Sequence, residues 1–337
     1  MERAPLVMAP RNVRRSMTYS VTPLTQILRD EIVQQGPIPF SRFMELALYH
    51  PVHGYYRRTV DPFGVHGDFY TAEQVQPVFG RLIAAYFQQL SPAPARTLVE
   101  LGAGRREMAP HFSAFDYVAV DVGLGEMPER FSGFVFANEF LDALPVDVVV
   151  RRNGELRELR VGIDSGRFSW CECGGASEEA RAFVADSVGA LAEGARAEVC
   201  LPALDWIRRI ADALESGYAL FIDYGYTRRE SIRFPEGTLM TYRRHQASAS
   251  VLEDPGICDI TAHVAFSAVE SEAQRCGFTV LRFENLASAL LRAGEPDQFA
   301  AALASPGEQE SLRLRMQLKT LLFGMGETFR SLLLQKK

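Results

Sequence analysis

Apolar positions along this chain follow two rhythms. From Thr22, the residues Leu24, Ile27, Leu28, Ile32 and Val33 recur at helical spacing, with Thr22 placed to cap and Pro23 in the first turn. Gly36-Pro37 ends that helix, and a second is expected from Pro39-Phe40-Ser41 to Pro51, carrying Phe43, Met44, Leu46, Ala47 and Leu48. A third is expected over Gln76 to Leu90. The rhythm then changes to short unbroken apolar runs that each end in an acid: Thr97 to Glu100, Tyr117 to Asp121, Phe134 to Glu139 and Tyr218 to Asp223. Such runs predict buried parallel strands. Val146 to Val150, Glu155 to Val161 and Arg167 to Cys171 predict an antiparallel addition, turned at Asn153-Gly154 and Asp164-Ser165-Gly166. Residues 176–196 read as a helix, as does Ala203 to Ser216 with Trp206 on its apolar side and Gly217 at the C-cap. His263 to Cys276 predicts a helix closed by Gly277, Phe278 to Phe283 a late strand, and the last fifty residues read as helical. The fold class is α/β.

The stretch around which these elements are organised is Thr97-Leu98-Val99-Glu100-Leu101-Gly102-Ala103-Gly104. Glycine permits a left-handed backbone and close approach of a ligand. Nucleotide sites of doubly wound sheets lie at such strand ends. A dinucleotide fingerprint needs a third glycine, and Gly104 is followed by Arg105-Arg106-Glu107, which disfavours a nicotinamide oxidoreductase. The acid before the glycines suits the loop that binds S-adenosylmethionine. Asp121, at the end of the next strand, stands where ribose hydroxyls are commonly held. Asn138, Glu139 and Asp142 gather just past a third strand; they read either as reaction-centre groups or as caps of a helix start. Upstream, Gly67-Asp68 through Thr71 follow His50, His53, Tyr55 and Tyr56 in a loop rich in aromatics and glycine, a composition that often covers a ligand.

Composition narrows the function classes. Hydrophobic residues make up 47% and charged residues 23% of the 337, as in an ordinary globular protein. The net charge of -6 argues against a nucleic-acid partner. No apolar run is long enough for a membrane span. Five scattered cysteines form no disulfide framework and suit a reducing compartment, the bacterial cytoplasm or alternatively the mitochondrial matrix. Arg3, Arg11, Arg14 and Arg15 give the first twenty residues either a presequence-like character or that of a basic leader ahead of Met17. No metal site is expected: His50 and His53 lack a third ligand.

Several runs together resemble the MidA family of methyltransferases: Gly36-Pro37-Ile38, His50-Pro51 through Gly54-Tyr55-Tyr56, Gly67-Asp68-Phe69, Glu100 through Gly104, Asn138-Glu139 through Asp142-Ala143-Leu144-Pro145, Ile222-Asp223-Tyr224-Gly225, Gly237-Thr238-Leu239 with Tyr242 and His245, Pro255-Gly256 through Asp259-Ile260-Thr261 with His263-Val264, and Met325-Gly326-Glu327 with Phe329. That family includes the mitochondrial arginine methyltransferase that assists respiratory complex I assembly. The resemblance implies a class I methyltransferase (Rossmann-like), mostly parallel sheet. Residues 1–20 would be a flexible lead-in, 21–95 an N-terminal helical and loop region, and 96–337 the core, with substrate-side insertions at about 146–200 and 226–262. It implies S-adenosylmethionine as cofactor and a protein arginine as methyl acceptor. A homodimer is compatible with it. Gly67, Asp68, Thr71, Glu100, Gly102, Gly104 and Asp121 would hold the cofactor. Asn138, Glu139 and Asp142 would face the reaction, with Asp223 and His263 as second choices for the same role.

The chain departs from the family pattern where a glycine is usual and Arg106 stands, at Glu73-Gln74, and at Ala265. The connection from Asp121 to Phe134 is near the lower length limit for a parallel crossover that includes a helix. A poorly formed or missing helix and an open adenine pocket are therefore expected there. The alternative function that follows is a catalytically impaired member serving as a non-enzymatic assembly factor.

Overall fold

The computed structural model describes residues 22–57, 77–90, 97–243 and 246–337. The chain enters through α1 (Pro23–Gln35), the two-residue strand β1 (Ile38–Pro39) and α2 (Phe40–Tyr49). Thr22 caps α1 by accepting from the Thr25 amide, as its position predicts. Helix α3 (Pro77–Leu90) precedes β2 (Thr97–Leu101), β3 (Asp116–Val120) and β4 (Phe131–Asn138). Three antiparallel strands follow: β5 (Asp147–Arg152), β6 (Glu155–Asp164) and β7 (Arg167–Gly175). Then come α4 (Glu178–Ser187), β8 (Arg196–Val199), α5 (Leu201–Ala213) and the long β9 (Leu214–Tyr226). The short strands β10 (Met240–Arg243), β11 (Gln246–Ser248), β12 (Asp259–Thr261) and β13 (Val264–Ala265) lead into α6 (Phe266–Arg275). The chain closes with β14 (Thr279–Asn285), α7 (Leu286–Gly294), α8 (Glu308–Phe323) and β15 (Phe329–Lys336).

The main sheet runs β14-β15-β9-β4-β2-β3, with β13 beside the end of β9. β3, β2, β4 and β9 are mutually parallel, and β15 is antiparallel to both of its neighbours. Alternation along β2 and β4 splits the apolar residues between two faces. Leu98, Phe134 and Phe136 pack on α3, α7 and α8, while Val99, Leu101, Val135 and Ala137 pack on α5 and α6. The second sheet, β1-β6-β5-β8 with β7 beside β6, buries Val148, Val150, Leu159 and Val161 in one core with Leu24, Leu28, Phe40 and Phe43 of α1 and α2. The N-terminal helices and the inserted strands thus form a single body against the main sheet.

Several sequence-based expectations need correction. The Ala- and Glu-rich stretch 176–196 is helical only to Ser187, and its end is the start of β8. The last fifty residues end not in a helix but in β15, whose Leu332, Leu333 and Leu334 are fully buried between β9 and β14. The helix expected from His263 begins at Phe266, because Val264 and Ala265 pair with Gly225 and Tyr226. Gly217 is no helix cap. It lies inside β9 opposite Gly133, with φ 137°, and a Cβ there would meet the Gly133 carbonyl oxygen at 1.9 Å. Gly217→Ala should destabilise the protein by about 1–3 kcal/mol through overpacking and backbone strain, read as a lower urea midpoint at unchanged slope.

Candidate active site

The glycine turn after β2 is tied to β3. Gly102 and Ala103 both donate their amides to the Val120 carbonyl, at 2.9 and 3.3 Å. Asp121 then accepts from Gly104 N at 2.7 Å and from Val122 N at 2.5 Å. Gly102 sits at φ 71°, and a Cβ there would come within 2.9 Å of the Phe140 ring. Arg106, where a glycine is usual, adopts the same left-handed region at φ 63° and donates its amide to Ala103 O at 2.6 Å. The turn therefore keeps its closed form without that glycine.

The third strand ends in the second half of the site. No helix follows Asn138, so neither Asn138 nor Asp142 is a helix cap. The segment 140–142 is instead held from β9. Oδ2 of Asp223 accepts the amides of Phe140, Leu141 and Asp142 at 3.2, 2.9 and 3.2 Å, and Oδ1 accepts from Tyr224 N at 2.9 Å. Glu139 N donates to Ile222 O at 2.9 Å, and Glu139 is held at φ 49°. A non-glycine residue there is a strained exception of the kind that clusters at functional sites. The Asn138 amide donates to Glu139 Oε1 at 3.3 Å, while its own Oδ1 is buried with no partner among the described residues.

These acids lie close together in a low-dielectric setting. Burial and the Glu139 charge push Asp223 up to about 8, against the pull of its backbone donors. Burial, then Asp223 and Asp259, raises Asp142 well above the usual range. Glu100 is 2% exposed and points to the α3 face with Leu98, where the Tyr117 hydroxyl donates to it. Burial carries Glu100 to about 7.

Between the two turns lies a cavity of about 540 Å³. Leu101, Gly102, Asp121, Glu139 and Phe140 line it from the sheet, and Tyr49 and Tyr56 close it from the N-terminal body. The two tyrosines stack at 5.5 Å; Tyr49 donates to Ala143 O at 2.8 Å and Tyr56 to Asp259 Oδ1 at 3.1 Å. Residues 121–130 carry no helix, as expected, and are pinned by a bridge between Asp121 and Leu124. That loop still supplies Val122, Gly125, Glu126 and Met127 to the cavity.

Of the residues singled out from sequence, the structure thus brings Gly102, Asp121 and Glu139 to one cavity and places Glu100 behind its wall. Asp223 acts on backbone. His263 stands apart, stacked at 6.4 Å on Tyr224, with burial lowering its pKa and its Nδ1 without a partner among the described residues. Gly67, Asp68, Thr71 and His245 lie outside the described residues. Sequence reasoning missed Tyr49, Met127 and Arg209 as lining residues. The one signal for Trp206 was a tryptophan on an otherwise amphipathic helix.

A parallel sheet closed by an antiparallel strand, with a glycine turn and an acid-ended strand beside one cavity, defines the class I methyltransferase fold. The family described as "Putative S-adenosyl-L-methionine-dependent methyltransferase" matches residues 113–284, and the chain belongs to it. A solved structure from Burkholderia thailandensis, described as a superfamily member and "likely methyl transferase" bound to S-adenosyl-homocysteine, superposes with a TM-score of 0.83 at 32% identity, over 93% of this chain and 92% of that one. A second structure from that organism, without a ligand in its description, gives a TM-score of 0.80 at 32% identity. Among curated relatives, the mitochondrial protein arginine methyltransferase NDUFAF7 of Xenopus laevis is 27% identical over 313 residues, 73% of this chain and 69% of that protein. Its counterpart in Drosophila melanogaster is 26% identical over 324 residues, 75% of this chain and 70% of that protein.

The protein is a methyltransferase whose cofactor is S-adenosylmethionine, and the residues present fit that cofactor. The glycine turn leaves space where a side chain would collide with Phe140, and the carboxylate-bearing Asp121 lines the same cavity from the end of the next strand. No helix among the described residues is long and apolar enough to cross a membrane.

The buried Glu100 gives a pH test. Its pKa in the fold lies above its ordinary value, so between about pH 4.5 and 7 the folded chain holds a proton that the unfolded chain has lost. Stability from this group is complete below that window and is lost as pH rises through 7. Glu100→Gln should remove the dependence and be the more stable form at pH 8, by as much as about 3 kcal/mol, when urea midpoints at pH 5 and pH 8 are compared.

Proposed function

We propose that the protein is a protein-arginine N-methyltransferase. The observation that carries this reading is Glu139, a carboxylate held at a strained backbone position and turned into the cofactor cavity beside two half-buried tyrosines. Bound S-adenosylmethionine supplies an electrophilic methyl on a sulfonium. The chain must then place a nucleophilic nitrogen in line with it, which is mainly a matter of positioning. Glu139 accepts hydrogen bonds from a guanidinium and orients it. The Asn138 amide, at 3.3 Å, fixes the carboxylate. Asp142 lies buried behind the turn, and a cation arriving nearby favours its ionised form, in which its carboxylate can accept the proton that the acceptor nitrogen sheds. Asp223 positions the turn, and His263 backs Tyr224.

On the cofactor side, the reading assigns Gly102, Gly104 and Asp121 to the nucleoside, with Glu100 supporting the strand end; the resemblance adds Gly67, Asp68 and Thr71 as further cofactor residues. The names of the curated relatives support arginine as the acceptor. The resemblance to the MidA family extends the proposal to a subunit of respiratory complex I as substrate. The compartment would be the mitochondrial matrix, where those relatives are named, or a bacterial cytoplasm.

The test uses S-adenosylmethionine tritiated in its methyl group, incubated with the protein and a cell extract, followed by amino-acid analysis for methylarginine. Wild type should label arginine. Glu139→Gln should abolish labelling while S-adenosylhomocysteine affinity stays within about threefold by calorimetry. Label confined to other residues, or full activity in the variant, contradicts the assignment.

A further inference from the structure

The cavity has two chemically distinct sides. Glu139, Tyr49 and Tyr56 make one, and the tyrosines pack in the core shared with the N-terminal helices. Met127, Phe140 and Trp206 line the other and pack together in the core under α5. A sulfonium and an ammonium suit the carboxylate and tyrosine side, and a neutral aromatic base suits the apolar one. The crossover 121–130 has no helix to cover a base and gives the apolar side only Met127, so the rest of that wall comes from elsewhere.

We propose that Trp206, with Phe140 and Met127, is the surface against which the adenine of S-adenosylmethionine packs, α5 replacing the missing crossover helix as the wall of the base site. Phe140 meets the indole edge-on at 5.3 Å and 78°. The Arg209 guanidinium lies over one indole face, 3.9 Å from the ring centre. These contacts fix the ring's orientation before ligand arrives, and Arg209 itself lines the cavity. Phe140 links the base side to the reaction side: it follows Glu139 directly, its ring lies against Gly102, and Asp223 holds its amide. The inference rests on the cofactor assignment and adds to it the residues that select the base.

The chain has two tryptophans, which makes the test direct. Trp170 lies on β7, 4.9 Å from the Phe40 ring in the other core. In a Trp170→Phe protein, saturation with S-adenosylhomocysteine should change the remaining indole emission, and in a Trp206→Phe protein it should not. By calorimetry, Trp206→Ala should weaken S-adenosylhomocysteine binding by about tenfold or more, the scale of base stacking on an aromatic ring. Trp206→Phe, which keeps a ring, should bind within about threefold of wild type. An emission change carried by Trp170, or an alanine variant that binds as tightly as wild type, overturns the role of Trp206. Binding of the same ligand to wild type is measured alongside, so loss of the base wall and failure of the cofactor assignment give different results.

Discussion

The carboxylate of Asp223 is the constraint on which the site depends. It is 1% exposed and accepts four backbone amides, three of them from consecutive residues of the turn after β4. Each donor left unsatisfied in such a place costs about 1–3 kcal/mol. The turn therefore cannot relax into a helix or an open loop without losing several of these bonds. Glu139 sits one residue before them, with its own amide on Ile222. Its left-handed backbone is the geometry that survives when both of its neighbours are fixed.

That constraint has a wider effect because the site is a seam. The main sheet supplies the glycine turn, Asp121 and Glu139, while the body built from α1, α2 and the second sheet supplies Tyr49 and Tyr56. One hydrogen bond closes the seam directly, from Tyr49 to Ala143, while Tyr56 donates to Asp259 on β12, whose neighbour Ile260 packs in the core of the N-terminal helices. Burial raises both phenols well above their ordinary pKa, so they remain neutral donors across the working pH range. The acid cluster beneath is thereby kept from bulk water on the side where a cationic acceptor is best held.

How much of this was legible in the sequence follows from what each signal measures. The runs ending at Glu100, Asp121, Glu139 and Asp223 announced parallel strands because an apolar run stopped by an acid has few other uses. The mostly parallel sheet followed from them, while its class I methyltransferase character came from the resemblance to the MidA family. β15 was hidden because Leu332, Leu333 and Leu334 form a short apolar run, which helix and strand share. Gly217 read as a cap because a glycine after an amphipathic stretch usually is one; its actual partner, Gly133, is eighty-four residues away. The role of Asp223 was invisible for the same reason: strand-end acids look alike, and only the fold shows which one receives backbone amides. Trp206 and Arg209 lie three apart on α5, and nothing local reveals that the face they share meets the cavity rather than solvent.

The most direct measurement is amide hydrogen exchange at Phe140, Leu141 and Asp142, in wild type and in Asp223→Ala. If one carboxylate holds the turn, the three amides exchange slowly in wild type, and all three speed up together by about tenfold to a hundredfold in the variant while the strands of the sheet keep their protection. Loop-like exchange of these amides in wild type, or protection that survives removal of the carboxylate, contradicts the account.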